Sequence, residues 1–343
     1  MSAIKSDTLK EESNSIYDVK NERLVIRDRL TYISEEEEME AIRSGLTQEQ
    51  KQLSSKYFYN TKGSLLFEEI CRLPEYYQTR TEIDILKKKV VPSLPEYEFV
   101  ELVELGSGEN RKISIFLNAL TGEKNQHIRY VPVDVSESAI RKSSEELIAG
   151  YPNLTVQAVL ADFTRPVDFN LNGYPHLFCF FGSTIGNLPQ KEAVELLRNI
   201  AGNMNYRDRL LVGFDRKKPL EILEPAYNDS KGVTAAFNKN ILQVINDYAE
   251  GNFNPNDFGH VAFYNADKSR IEMHLRATYN MNIHLKKANL KIAIRKGETL
   301  HTENSRKYEI NDFHTYAMKA GLKVNKIYSD ENEWFSIVEF ISR

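Results

Sequence analysis

The stretch FCFFGSTIGNLP, Phe178 to Pro189, joins an apolar run suited to a buried strand to Gly182, Ser183, Thr184, Gly186 and Asn187. Packing alone would select none of those polar groups. Gly and Asn are common turn residues, but at the carboxyl end of a parallel strand the same groups can line a substrate site. Other places have a similar character. In ELGSG, Gly106 and Gly108 let the backbone approach a ligand with no Cβ in the way. The dinucleotide fingerprint wants a third Gly three positions after Gly108, and Arg111 stands there, which argues against a nicotinamide cofactor. Asp134 can accept from both hydroxyls of a ribose, and Asp162 can accept from an adenine amino group with the Phe163 ring beside it. Each also has a plain structural role, Asp134 beside a helix cap and Asp162 in a turn. Taken in order, the groups describe a nucleoside site.

The elements that must position these residues begin near residue 98. EFVELVELGSG reads as a strand and KISIFLNAL as a helix; IRYVPVDVS is a second strand, followed by the Ser-capped helix SESAIRKSSEELIAGY. LTVQAVLADF, HLFCFFGS and RLLVGFD are further strands, with the helix KEAVELLRNIAGNM before the last of them. This repetition predicts a parallel sheet with helices on both faces. The chain then ends in a helix, DFHTYAMKAGL, and a hairpin, KVNKIYSD and WFSIVEFIS, that closes the sheet. The expected class is α/β: a doubly wound, Rossmann-like sheet with a terminal antiparallel hairpin, which resembles the class I S-adenosylmethionine-dependent methyltransferases. Residues 217–306 do not fit that unit, since they carry the helical GVTAAFNKNILQVINDYA and the strand-like HVAFYNA, SRIEMHLRATYNM and LKIAIRKG, too much for a plain loop. We expect a core of residues 82–216 and 307–343 and a second α/β substrate domain of residues 1–81 and 217–306, with the site in the cleft between them. Residues 1–40 are expected to be in part an acidic arm, with the run Glu35 to Glu38, and carry no assigned function.

Composition narrows the partner. The 343 residues include 45 basic and 49 acidic side chains, a formal net charge of -4, so no positive field favours nucleic acid and a small molecule is expected. Cys71 and Cys179 fit neither a disulfide framework nor a zinc site and read as buried thiols of a reducing compartment. No segment has the length of a membrane span and the start lacks a signal-peptide core, so a cytoplasmic, membrane-free monomer is expected. The seven histidines show no HExxH-type spacing, and no metal is expected.

Six motifs in order, LPEYYQTRTE, VELGSG, FGSTIGN, AYNDSKGVTAAFN, RIEMHLRA and TENSRKY, resemble the histidine-specific α-N-methyltransferases of ergothioneine biosynthesis, from about residue 48 to the end of the chain. The resemblance implies transfer of three methyl groups from S-adenosylmethionine to L-histidine, giving hercynine. It places Gly106, Gly108, Lys112, Asp134, Asp162 and Phe163 around S-adenosylmethionine, and Asn187 on the substrate's α-amino and carboxylate groups with Gly182 and Thr184 in the same pocket. Tyr59, Tyr76 and Tyr227 would surround the amino acid head group, with Tyr59 and Asn187 as the catalytic pair; Glu303 and Ser305 would read the imidazole and Met273 would pack near it. Gln78 departs from the family's PEYYPTR pattern, which has Pro there, with little expected consequence for chemistry.

The chemistry agrees with that implication. Methyl transfer from a sulfonium needs a neutral amine in line with the S–CH3 bond, and a free α-amino group with a pKa near 8 is already roughly one-tenth neutral at pH 7. Neutral acceptors such as Asn187 and tyrosine hydroxyls suffice to orient it. Without the family, Tyr76 reads as a core aromatic, Glu303 as an exposed loop or cap residue and Met273 as plain strand core. Two alternatives stand beside histidine methylation: an indole amino acid as substrate on the same fold, and a non-catalytic binding module. Glu303 with Ser305 argues against the first, because an indole has one N–H and no acceptor, and the presence of Asp134 and Asn187 argues against the second.

Overall fold

The computed structural model describes residues 16–21, 23–31, 33–108, 110–120, 127–167, 169, 171 and 173–343. In chain order its strands are β1 Ile16–Asn21, β2 Leu24–Asp28, β3 Phe99–Leu105, β4 His127–Asp134, β5 Thr155–Leu160, β6 His176–Phe180, β7 Arg209–Asp215, β8 Phe258–Asn265, β9 Arg270–Ala277, β10 Met281–Leu285, β11 Leu290–Ile294, β12 Thr299–Arg306, β13 Leu322–Ser329 and β14 Phe335–Ser342. The chain divides into two compact units. One holds the described residues up to Thr31 with Arg80–Arg216 and Tyr308–Arg343; the other holds Tyr32–Thr79 and Lys217–Lys307.

The first unit is built on one sheet of order β1-β2-β5-β4-β3-β6-β7-β14-β13. From β2 to β7 every pairing is parallel, and β14 then pairs antiparallel with β7 and with β13. β6 is buried along its whole length, as a parallel strand covered on both faces should be. Neighbouring residues of β3 serve opposite faces: Leu102 packs with Ile113, Phe116 and Ile140, while Val103 packs with Phe178, Leu197 and Phe313. The helices Asn110–Leu120 and Glu137–Gly150 supply the first layer, Gln190–Ala201 and Ile310–Ala320 the second. Strand order reverses between β3 and β6. In open α/β sheets that switch point, at the carboxyl ends of the strands, is where ligands bind.

One assignment from sequence needs correction. Residues 1–81 were expected in the second domain, but Leu24–Asp28 runs parallel to Val156–Leu160 of β5 and so extends the sheet. The ladder of backbone hydrogen bonds decides the matter, and LVIRD was too short an apolar run to announce it. Residues 1–15 of the expected acidic arm lie outside the described residues. Glu35 to Glu38 form the first turn of the helix Glu35–Thr47, where Ser34 and Glu37 make a reciprocal capping box. The carboxylates there complement the positive end of the helix dipole.

Buried in this unit, Glu104 accepts a hydrogen bond from the Tyr130 hydroxyl, and burial pushes its carboxyl up to about 7. A raised folded-state pKa adds stability that is complete below the unfolded value near 4.5 and lost as pH climbs through about 7. Glu104→Gln keeps a partner for Tyr130 and removes the charge. Its melting temperature relative to the parent should therefore climb between pH 5 and pH 8, by an amount worth on the order of 3 kcal/mol. A constant difference across that range would show that Glu104 does not titrate there.

In the second unit β12, β9 and β8 form an antiparallel sheet, and β10 and β11 a separate hairpin. The helix Val233–Ala249 buries Phe237, Ile241 and Ile245, and Phe58 stacks on Phe237 at 4.5 Å between centroids. Asn238 of that helix donates to the His274 carbonyl at 3.1 Å and accepts from the Thr302 hydroxyl at 2.7 Å, which ties the helix to β9 and β12. Pairing of β12 with β9 sets Glu303 opposite Met273 and Ser305 opposite Ile271. No helix among the described residues is long and apolar enough to cross a membrane.

Candidate active site residues

At the carboxyl ends of β3, β4 and β5 stand the residues expected around a nucleoside. Gly106 adopts φ +77°, a conformation that favours glycine, and a Cβ built on it would lie 3.8 Å from the Phe163 ring. Phe163 in turn meets Phe180 edge-on at 5.7 Å. Gly108 has open space where a Cβ would stand, and its N–H donates to the Gly106 carbonyl at 2.9 Å. Burial raises the Asp134 carboxyl pKa, opposed by backbone N–H donors, of which Ser136 lies 2.9 Å from Oδ1. Asp162 accepts from the Thr164 N–H at 3.0 Å and from its hydroxyl at 2.6 Å through Oδ1. Both aspartates thus fill the turn roles read from sequence while standing at the carboxyl edge of the sheet, where open α/β sheets in general bind ligands.

After β6 the chain turns through Gly182 at φ +80° and Ser183 at φ 56° into the short turn Thr184–Asn187. A left-handed serine is uncommon and is held by specific bonds. Ser183 Oγ accepts from the Asp215 N–H at 2.9 Å, Thr184 Oγ1 donates to the Phe181 carbonyl at 3.0 Å, and the Tyr308 hydroxyl donates to the Ile185 carbonyl at 3.0 Å. Below Gly182 lies Glu82, fully buried, both of whose carboxylate oxygens are 2.9 Å from the Gly182 N–H. Lys112, expected to face the cofactor, is 2.6 Å from the same carboxylate, and a buried charge of this kind needs such a partner. Room for Glu82 comes from Gly213, where a Cβ would stand 1.9 Å from Oε1. Glu82 was not singled out from sequence, where a lone carboxylate in TRTE carries no spacing signal.

In the second unit the expected substrate residues form one cluster. Tyr76 is buried, meets Phe67 edge-on at 6.4 Å and Tyr227 at 6.3 Å, and its phenol is pushed well up by burial, with Tyr227, Glu303 and Tyr59 adding to the shift. Tyr59 remains 45% exposed, with its ring edge-on to Phe67 at 6.0 Å. Met273 is buried on β9. Glu303 belongs to β12 rather than to a loop, and burial pushes its carboxyl up to about 7 against the pull of Lys307. The Tyr227 hydroxyl donates to Ser305 Oγ at 2.7 Å and accepts from Gln78 Nε2 at 2.8 Å and Lys307 Nζ at 2.8 Å. Lys307 Nζ also reaches Ser305 Oγ at 2.9 Å. Gln78, expected to matter little, is therefore a buried member of this network, because its amide reaches the phenol from the first turn of the helix Tyr77–Ile85. Nothing in SRKY marked Lys307 as buried; it reads as the solvated end of a strand.

The histidines also group in a way that helix-type spacing could not reveal. Glu272 and His274 on β9 and His301 on β12 bring ligand atoms within 4.8 Å of one another. Glu272 Oε1, however, accepts from Arg270 at 2.6 Å and Asn265 at 3.0 Å, while Oε2 faces His274 Nε2 at 3.2 Å. The two imidazoles stack, with centroids 4.8 Å apart and planes 26° from parallel.

The family model described as "Histidine-specific methyltransferase, SAM-dependent" matches residues 38–341. Among curated proteins the chain is 37% identical to the histidine N-alpha-methyltransferase of Mycolicibacterium smegmatis, covering 84% of this chain and 90% of that protein. It is 31% identical to ergothioneine biosynthesis protein 1 of Schizosaccharomyces pombe, over 68% of this chain and 31% of that larger protein. The 4-dimethylallyltryptophan N-methyltransferase easF of Epichloe festucae var. lolii is more distant, 27% identical over 84% of this chain and 90% of that one. With the match running through both units, the chain belongs to the SAM-dependent, histidine-specific methyltransferase family.

Proposed function

We propose that the protein transfers three methyl groups from S-adenosylmethionine to the α-amino group of L-histidine, forming hercynine, the first step of ergothioneine biosynthesis. The observation that carries this reading is the pair Glu303 and Ser305, two residues apart on β12 and therefore on one face of it. A neutral imidazole offers one N–H and one bare nitrogen, and a carboxylate beside a hydroxyl matches both; an indole leaves the hydroxyl unmatched.

S-adenosylmethionine is the methyl donor. In this assignment Gly106, Gly108 and Phe163 flank its adenosyl part, Asp134 accepts from its ribose and Asp162 from its adenine, with Lys112 nearby on Glu82. Asn187, Gly182 and Thr184 hold the amino acid end of the histidine together with Tyr59, Tyr76 and Tyr227. In each round a neutral amine lone pair forms the N–C bond as the S–C bond breaks and its electron pair stays on sulfur. The first two rounds release a proton; the third leaves a fixed positive charge. Orientation rather than a strong base supplies the rate, since roughly a tenth of a free α-amine is neutral at pH 7.

Asp134→Ala removes the carboxylate acceptor of hydrogen bonds that the ribose hydroxyls would donate, each worth about 1.5–3 kcal/mol. Calorimetric titration should show the S-adenosylmethionine dissociation constant raised by roughly 10- to 100-fold with the fold intact. An unchanged constant would remove Asp134 from the cofactor site. The reading as a whole is tested by mass spectrometry of products after incubation with S-adenosylmethionine and histidine, tryptophan or tyrosine. We expect a product three methyls heavier from histidine alone; methylation of tryptophan or tyrosine with histidine untouched would overturn it.

A further inference from the structure

Lys307 is fully buried, and an ammonium taken from water without compensation is costly, so its place calls for a reason. It follows β12 directly and donates to the Tyr227 hydroxyl at 2.8 Å and to Ser305 Oγ at 2.9 Å. Gln78 Nε2 donates to the same phenol oxygen at 2.8 Å. With two donors on its oxygen, Tyr227 turns its own proton to Ser305, 2.7 Å away. A hydroxyl has two acceptor lone pairs and one proton. Ser305 has therefore filled both acceptor sites, with Tyr227 and Lys307, and has only its proton left to give.

An amide such as Gln78 can be turned end for end, but an ammonium carries donors only, so Lys307 is the member of the chain whose direction cannot reverse. Building on the reading of Glu303 and Ser305 as the imidazole site, we propose that Lys307 is a specificity-determining positioning residue. It fixes Ser305 as a donor and stands as counter-charge to Glu303, so the pocket takes a neutral imidazole that gives its N–H to Glu303 and accepts at its bare nitrogen from Ser305. A ring with an N–H and no bare nitrogen leaves the Ser305 proton buried without an acceptor, and discrimination follows from that unpaired group.

The probes are histidine and two isosteres, β-(pyrrol-2-yl)alanine and β-(pyrrol-3-yl)alanine, which keep a ring N–H at one position or the other and lack the acceptor nitrogen. The measured quantity is the ratio of kcat/KM for histidine to that for the better pyrrole, in the parent, Lys307→Met, Ser305→Ala and the double variant. We expect a ratio of at least about 100 in the parent, at least tenfold lower in Lys307→Met and mostly through the KM for histidine, and changed less than about threefold by Lys307→Met once Ser305 is alanine. An undiminished ratio in Lys307→Met, or equal losses in both backgrounds, overturns the proposal, since Lys307 would then not act through Ser305. Failure of the underlying reading looks different: Glu303→Gln and Ser305→Ala would leave histidine turnover at the parental level. S-adenosylhomocysteine binding by calorimetry reports the fold of each variant, and Lys307→Gln, with a reversible amide in place of the ammonium, carries the same expectation if the methionine variant does not accumulate.

Discussion

Glu303→Ala is expected to lower kcat/KM for histidine about a thousandfold, with S-adenosylmethionine affinity within about twofold of the parent; the loss corresponds to about 4 kcal/mol. Two effects combine. The imidazole N–H loses a charged acceptor in a desolvated place, and Lys307, buried and bonded to Tyr227 and Ser305, loses the negative charge that it faces. Glu303→Gln should be milder, about a hundredfold, because the amide oxygen still accepts a hydrogen bond without the charge. The two variants also differ in pH dependence. Burial lifts the parental carboxyl to about 7, so its charged form, the one that accepts from imidazole, fills as pH rises through that value. The parent should therefore show an acid limb in kcat/KM near neutrality containing both Glu303 and the substrate's own imidazole, and Glu303→Gln should retain only the substrate's part. Steady-state rates at saturating S-adenosylmethionine from pH 5.5 to 8.5 decide it. A drop of less than tenfold in Glu303→Ala would remove this residue from the substrate site.

Why some of this was legible in the sequence and some was not follows from how each residue acts. β6 read as a strand because a parallel strand buried on both faces is mostly apolar, and β3 because its Val and Leu residues outweigh the buried Glu101 and Glu104; Gly106 and Gly182 stood out because their positive φ angles leave little choice of residue. β12 went unread for the opposite reason. TLHTENSR shows no apolar alternation, since beyond Leu300 its buried positions are given to Thr302 and Ser305, with Glu303 half-buried, and polar residues at such positions erase the period that marks a strand. β2 was missed because its run of five residues is short, and its place shows only through its pairing with β5 on one side and β1 on the other. Glu82, Gln78 and Lys307 share a third cause. Each acts through partners distant in sequence, Glu82 through Gly182, Gln78 through Tyr227 and Lys307 through Tyr227, and neither composition nor local spacing encodes such pairs. Resemblance supplied the residues expected to face ligands but passed over Glu82, Gln78 and Lys307, which bond to them or to their neighbours.

Asn187→Ala is expected to keep S-adenosylmethionine binding and to lower kcat by roughly 100-fold or more, the scale of a displacement of about 1 Å at the reacting atoms. The loop that carries Asn187 is pinned at Gly182 by Glu82, at Ser183 by the Asp215 N–H and at Ile185 by the Tyr308 hydroxyl. Truncating the side chain removes a contact from a turn fixed by other residues, so the loss should appear in turnover and not in folding. Charge at this position matters as much as shape. An amide accepts from the amine N–H bonds without favouring the ammonium, whereas Asn187→Asp would place a carboxylate there, raise the amine's pKa and keep it protonated. That variant should be slow at pH 7 and gain on the parent as pH rises, because the neutral amine it needs forms only at higher pH. Single-turnover rates at pH 7 and pH 9 with pre-bound S-adenosylmethionine separate the cases. Parental rates in Asn187→Ala would assign the amine to other groups, and equal pH profiles for Asn187→Asp and the parent would show that the side chain does not face the amine at all.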